Sequence, residues 1–395
     1  MDSDLARLII GAESVIPEEE LKEKLKEERP LRVKLGIDPT APEIHLGFAV
    51  VLRKLRQFQD VGHIAVLIVG DFTARIGDPS GRSKTRVSLS EEQIRENMKG
   101  YTRQIFKILD KGKTELRYNS EWLSKLDPSD IIRLTSQITV ARLLERDDFN
   151  ERFKAENPIA LHELLYPMFQ AYDSVAVKAD VELGGTDQRW NHLLGRDLQR
   201  SFGLDPQVVF LMPLLEGLDG VKKMSKSFNN FIGIEESSRE QFGKVMSIPD
   251  KLILRYYELC LDYYDELLKN VKKRLKSGEN PMDLKLELAE GIVRQYHSDR
   301  SAKRERAEFI RVFSREEAPR DIEEFFIKKD KEIWIVEVLD NAGLVKSRGE
   351  ARRLIEQGAL RIDGEKINDF SLNISIKNEV ILRLGKKRFL KLVPQ

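Results

Sequence analysis

Leu31-Arg32-Val33-Lys34-Leu35-Gly36-Ile37 alternates side chains with the period of a strand. Beyond it, Phe48, Val51, Leu52, Leu55 and Phe58 recur at helical spacing, and Gly62 stands where a helix C-terminal cap belongs. Ile64-Ala65-Val66-Leu67-Ile68-Val69 is a continuous apolar run, as in a strand covered on both faces. Strand, helix, strand in this order predicts a parallel sheet. Leu116-Arg117-Tyr118, Val181-Glu182-Leu183 and Val208-Val209-Phe210-Leu211 extend the pattern, and Ser90-Glu91-Glu92-Gln93 reads as a capping box opening a helix towards Leu109. In such sheets ligands sit beyond the carboxyl ends of the strands. Asp38, Asp71, Asn119 and Gly184 each follow a predicted strand, which lines up one site.

From about Ser238 the pattern turns helical: Leu252, Tyr256, Leu259 and Tyr263, then Leu284, Leu288, Ile292 and Tyr296, recur at helical spacing. Ser314–Glu332 is charged and contains proline, as linkers do. After it, Val336 and Leu339 begin a short helix ending near Asn341–Gly343. Ser347-Arg348-Gly349-Glu350 opens another as a capping box, and Gly358 closes it. Asp363-Gly364 is a turn, and apolar alternation runs to Leu392. The predicted order is an α/β domain over 1–230, an α-helical domain over 231–320 and a small α+β domain over 333–395.

Composition narrows the function. One cysteine, Cys260, excludes a disulfide framework and a Cys-rich zinc site, and five scattered histidines argue against a protein-held metal. The longest apolar run, Ile64–Gly70, is too short to span a bilayer, and the acidic start Met1-Asp2-Ser3-Asp4 lacks the plan of a signal peptide. A soluble, cytoplasmic protein is expected. The segment Ile333–Gln395 carries 12 basic and 8 acidic residues, net +4, on a body of net −3. A basic tail of this kind favours an anionic partner.

Gly77–Thr85 imitates a phosphate loop, but Ser83 occupies the place of the glycine before Lys84, so that reading fails on spacing. Pro39–Phe48 follows the first strand and opens a helix, which aims backbone N–H groups and the helix dipole at the ligand edge. Gly47 would admit a nucleotide base close to the backbone, and Thr40 and His45 could donate hydrogen bonds to phosphate oxygens. Lys222-Lys223-Met224-Ser225-Lys226-Ser227, flanked by Gly217, Gly220, Asn229 and Asn230, reads as a mobile basic loop able to close over a polyphosphate. Tyr166, Gln170 and Asp173 fall on one helix face, a polar stripe that predicts a pocket wall. Gly184-Gly185 would let a ligand press on the backbone, with Asp187 accepting hydrogen bonds from ribose hydroxyls. Each motif alone has an ordinary structural explanation; their conjunction carries the argument.

His45-Leu46-Gly47-Phe48 and the Lys-Met-Ser-Lys-Ser loop resemble the HIGH and KMSKS signatures of class I aminoacyl-tRNA synthetases. With Asp38-Pro39-Thr40, Gly77-Asp78-Pro79, the Tyr166/Gln170/Asp173 face and Gly184-Gly185-Thr186-Asp187-Gln188, the whole chain resembles the tyrosyl branch of that family. The resemblance implies a Rossmann-like catalytic domain and formation of tyrosyl-adenylate from L-tyrosine and ATP, with transfer to tRNA(Tyr). It implies that Thr40, His45, Lys223 and Lys226 act on the ATP phosphates. Asp38, Gly47, Gly185, Asp187 and Met224 would complete the nucleotide site. Asp78, Tyr166 and Gln170 would hold the substrate amino group, Asp173 its phenolic hydroxyl, Gln188 its carboxylate, with Asn119 a further polar pocket position. Magnesium would arrive with ATP and no tightly bound protein-ligated metal is implied; a homodimer joined through the catalytic domains is. Ala342–Gly358 resembles the RNA-binding domain of the ribosomal-protein S-four type, in which Arg348, Arg352 and Arg353 would approach tRNA phosphates.

Three positions depart from the family pattern: Phe48 replaces the second signature histidine, Lys34 stands where many bacterial members carry a tyrosine touching the substrate hydroxyl, and Glu182 stands where glutamine is common. Lys34 is expected near Asp173, holding it ionised. A class I-like nucleotidyltransferase and an inactive RNA-binding relative remain as alternatives. The basic tail speaks against the first, and intact His45 and Lys226 against the second.

Overall fold

The computed structural model describes residues 2–39, 43–79, 90–314, 322–329, 331–385 and 388–395. They form two compact units, Met1–Asp299 and Arg300–Gln395. In the first, a six-stranded sheet comprises β1 (Ser14–Ile16), β2 (Arg32–Ile37), β3 (Ile64–Val69), β4 (Thr114–Tyr118), β5 (Val181–Gly185) and β6 (Val208–Met212), in the order β1-β6-β5-β2-β3-β4. All pairings are parallel except the β1 edge. Every side chain of β6 is buried, as are Val33 and Leu35 in β2 and Ala65–Val69 in β3. Such burial is why β3 and β6 read as unbroken apolar runs. β1 is too short and too near the N-terminus to have given a periodic signal.

Between β2 and β3 the Leu46–Asp60 helix ends as expected: Val61 caps it, and Gly62 takes φ 101°. The Ser90 capping box closes with both hydrogen bonds, and its helix spans Glu91–Ile105, continuing as turns rather than helix to Leu109. The helical stretch contributes Ser238–Met246, Ile253–Leu261, Asp265–Lys276 and Pro281–Tyr296 to the first unit, with Leu252, Tyr256, Leu284, Leu288 and Ile292 buried among them. The Asp299–Phe309 helix falls almost wholly within the second unit.

The second unit corrects the linker expectation. Glu324–Ile327 is strand β7, paired in parallel with the last strand, so Ser314–Glu332 contains a sheet element. Phe325-Phe326-Ile327 was its signal, masked by the surrounding charges. The other strands are β8 (Ile333–Trp334), β9 (Leu360–Ile362), β10 (Glu365–Ile367), β11 (Asn373–Ile374), β12 (Val380–Leu384) and β13 (Arg388–Pro394). Asp363 and Gly364, at φ 46° and 90°, form the two-residue β9–β10 turn, where positive φ at both positions matches strand twist. The Ile335–Asn341 and Arg348–Glu356 helices pack on this sheet through Val336, Val338, Leu339, Ala351 and Ile355. The second capping box is only half made: Ser347 accepts from Glu350 N–H, but the Glu350 carboxylate accepts from Lys346 N–H rather than from Ser347.

Candidate active site

At the carboxyl ends of β2, β3 and β5 lies a cleft of about 340 Å³. Its lining includes Asp38, His45, Gly47, Asp78, Asn119, Tyr166, Gln170, Asp173, Gly185, Asp187, Gln188, Lys223 and Met224. The structure therefore brings together residues spread over nearly 190 positions of sequence. Thr40 lies outside the described residues.

The His45 turn and the basic loop are joined by backbone. Ile44 and Leu46 exchange hydrogen bonds with Ile234 and Ile232, just beyond the loop, and His45 bridges Gly233. His45 caps its helix: Nδ1 accepts from Phe48 N–H at 3.2 Å. Burial, aided by the Lys226 and Lys223 charges, depresses its pKa to about 4. The ring is therefore neutral at pH 7, its single proton on Nε2, which makes it a donor without a charge. The N–H groups expected to stand open at this helix start are engaged. Leu46 donates to Ile232, Phe48 to His45, and Gly47 to Met224 Sδ at 3.3 Å. Sulfur is a weak acceptor, so the Gly47 contact is the one an anion could most readily displace.

The loop is stitched rather than loose. Asn230 accepts from Ser225 N–H and donates to Asp219 and to the Lys222 and Lys223 carbonyls, while Met224 N–H reaches the Leu215 carbonyl. Lys223 Nζ lies 2.5 Å from Asp187, and Lys226 Nζ lies 3.7 Å from Glu43 at the cleft margin. Burial lowers the Lys226 pKa against the raising effect of Glu43. Both lysines thus rest on carboxylates beside the cleft.

The polar stripe lies on the Leu161–Val177 helix and faces the cleft as predicted. Tyr166 donates to Asp38 at 2.9 Å, and burial drives its phenol well above the ordinary range, so it remains a neutral donor. Thr73 donates to the other Asp38 oxygen at 2.9 Å and accepts from Asn119 at 3.0 Å. Gln188 donates to Asp78 at 3.0 Å. Asn191 donates to both Gln170 and Gln188 and accepts from Arg146 at 2.8 Å. Asp173, at the closed end, accepts from Trp122 Nε1 at 2.8 Å and from Asn119 at 3.3 Å. Burial pushes its carboxyl up to about 7, outweighing the nearby Lys34 charge and the two hydrogen bonds.

Several expectations change. Lys34 lies near Asp173 as expected, bonding Gln170 and Ser174 beside it, but its ion pair is with Glu182, at 2.8 Å, and it does not hold Asp173 ionised, because burial outweighs it. Gly184 is required by packing: a Cβ there would lie 2.3 Å from the His192 ring, so His192, not a ligand, occupies that space. Asp71 leaves the site, because its carboxylate accepts from Ser120 N–H and Oγ. Thr73, Trp122, Asn191 and His192 were missed. Thr73 follows β3 as closely as the topology argument required; Trp122 and Asn191 had no periodic signal. In the second unit Arg348 pairs with Asp340, and Arg352 stacks over Trp334 and Phe370 with its carbon centre 5.1 and 5.9 Å from the rings, while Arg353 is exposed. Among the described residues no three His, Cys, Asp or Glu side chains converge as metal ligands, and no helix is long and apolar enough to cross a membrane.

Residues 26–314 match the family described as tRNA synthetases class I (W and Y), and 315–392 match the tyrosine–tRNA ligase SYY-like C-terminal domain. The chain is 52% identical to a tyrosine–tRNA ligase of Carboxydothermus hydrogenoformans, covering 97% of this chain and 96% of that protein. It is 51% identical to one of Oleidesulfovibrio alaskensis, covering 100% and 99%. Among solved structures, tyrosyl-tRNA synthetase of Archaeoglobus fulgidus, complexed with L-tyrosine, superposes with TM-score 0.64 at 24% identity over 77% of this chain and 99% of that one. This last likeness speaks for the fold.

Proposed function

The chain belongs to the tyrosine–tRNA ligases of class I, and from that premise we propose how its residues divide the work. The enzyme activates tyrosine with ATP and transfers it to the 3′ end of tRNA(Tyr). One observation supports the assignment of roles: His45, Gly47, Lys223 and Met224 line the same cleft as the polar helix face, with Lys226 beside the lining residue Glu43.

Tyrosine enters with its ring towards Asp173 and its ammonium group between Asp78, Tyr166 and Gln170. Its carboxylate, guided by Gln188, attacks the α-phosphate; a carboxyl O–P bond forms as the bond to the β-phosphate oxygen breaks, releasing pyrophosphate. Asp38 stands beside the resulting adenylate, and Gly47, Gly185, Asp187 and Met224 contact the nucleoside. Lys223 and Lys226 neutralise charge on the leaving pyrophosphate, exchanging Asp187 and Glu43 for phosphate oxygens, and Thr40 and His45 donate hydrogen bonds to it. His45 gives a hydrogen bond from Nε2 without needing to be protonated. Magnesium enters as MgATP, the substrate. In the second step the terminal ribose hydroxyl attacks the acyl carbon and AMP leaves. The domains are a catalytic unit up to about residue 230, helices up to the end of the first matched region at 314 and the RNA-binding tail beyond it, β7 included, with Arg348 and Arg353 on phosphates and Arg352 stacked. Ile132, Val140, Phe153 and Leu161, each more than half exposed, support a homodimer through the catalytic unit. The protein works in the cytoplasm.

Lys226→Ala tests the division. Adenylate formation, followed by single-turnover fluorescence, should slow by about 10²–10³, while tyrosine affinity changes less than about twofold. Equal losses in both would put Lys226 in the amino-acid pocket.

A further inference from the structure

Behind the phenol end of the cleft, Lys34 and Glu182 are cross-strand partners on β2 and β5 and are 0% and 1% exposed. Burying an ion pair is expensive, and the interior would accept an apolar pair at least as readily, so its retention calls for a use. Besides Glu182, the Lys34 ammonium donates to the Gln170 carbonyl at 2.9 Å and to Ser174 Oγ at 2.7 Å. Those are the residues one turn before and immediately after Asp173 on its helix. Glu182 is held in turn by Ser174 Oγ, by Gln207 and by His192 Nε2 at 3.4 Å. Burial would raise the Glu182 carboxyl, but the Lys34 ammonium and the Gln207 amide beside it outweigh burial and keep it low, while burial lowers His192 and leaves its ring neutral. The pair therefore holds one positive and one negative charge beneath the Asp173 helix face.

We propose that Lys34 and Glu182 are positioning residues for substrate selection: they grip the helix on either side of Asp173 and, with opposite sign, set whether its carboxyl is the acceptor that receives the substrate hydroxyl. This rests on the reading of Asp173 as the phenol partner. The other groups around Asp173 are Trp122 and Asn119, both neutral donors, and Tyr166, neutral; Asp38, Asp78 and His192 line the same cleft. Lys34 favours the ionised form of Asp173, and Glu182 opposes it.

The test is the pH dependence of tyrosine affinity between pH 5 and 9, by equilibrium fluorescence titration, for the wild type, Lys34→Met and Glu182→Gln. Affinity should fall on the acid side as Asp173 protonates. Lys34→Met should move that limb up by about one pH unit, and Glu182→Gln should move it down by about one. Removing either half of a merely structural pair would weaken binding alike, without opposite displacements. Limbs that move together, or not at all, overturn the proposal. If Lys34→Met does not fold, Glu182→Gln decides alone, since it keeps shape and hydrogen-bonding capacity; a limb that is unmoved or raised is then the contrary result. Asp173→Ala separates the two levels. If it leaves the preference for tyrosine over phenylalanine intact, the reading of Asp173 and this proposal fall together. If the preference collapses but the limbs do not part, only this proposal falls.

Discussion

Tyrosine and phenylalanine differ by one hydroxyl, and at the residue scale Asp173 is the residue proposed to read that difference. A site built to hydrogen-bond a substrate hydroxyl rejects the analogue lacking it by about 10⁴–10⁵, because its own buried polar group is left unpaired. Asp173 is 4% exposed, and its two neutral donors leave a carboxylate acceptor with capacity to spare. Its folded pKa, about 7, lies above the ordinary carboxylate value, so the acceptor form fills as pH rises from 6 to 8 and is lost on acidification. Asp173→Ala should therefore cut kcat/KM for tyrosine far more than for phenylalanine, collapsing their ratio. It should also abolish the rise in that ratio between pH 6 and 8. Pyrophosphate exchange with each amino acid across that range measures both; an unchanged ratio would shift the role to Asn119.

At the scale of elements, the side chain that ties the basic loop at the most points is Asn230. Asn230 bonds Ser225, Asp219, Lys222 and Lys223, so it fixes the arc that carries Lys223 and leads into Lys226. Asn230→Ala should lower kcat for adenylate formation about 10- to 100-fold through misplacement alone, with tyrosine affinity and the unfolding midpoint nearly unchanged. A fall in stability large enough to explain the loss would mean that Asn230 serves the core instead. The same level shows what was legible in sequence. The buried strands, the helix caps at Gly62 and Ser90 and the Tyr166/Gln170/Asp173 stripe are local patterns, and each appears where periodicity put it. Pairings that depend on distant partners were not legible. Lys34 could be placed on β2, but only the register against β5 gives it Glu182 rather than Asp173. Glycine is ambiguous for the same reason: Gly184 accommodates His192, eight residues away and on another element. β7 went unread because a strand closing a sheet from a charged stretch is defined by its partner, β13.

For the whole molecule, the two matched family regions meet between residues 314 and 315. The first matched family region ends there, and a cut at Glu332 would strand β7 away from β13. A chain ending at Ser314 should keep tyrosine activation within about threefold, because the cleft lies wholly within the first unit, and should lose nearly all tRNA charging with the basic tail. Loss of pyrophosphate exchange in a truncated chain that stays folded would show that the tail supports activation itself. The proposed selectivity rests on one cleft that joins the phosphate motifs to the polar wall at Asp173, and the matched family spans two aromatic substrates. Its most direct measurement is ATP–pyrophosphate exchange by the full chain, supplied in turn with tyrosine, phenylalanine and tryptophan at saturating ATP. Tyrosine should drive exchange, phenylalanine should fall short by orders of magnitude and tryptophan should give none; exchange driven equally by tryptophan, or without any amino acid, would contradict the account.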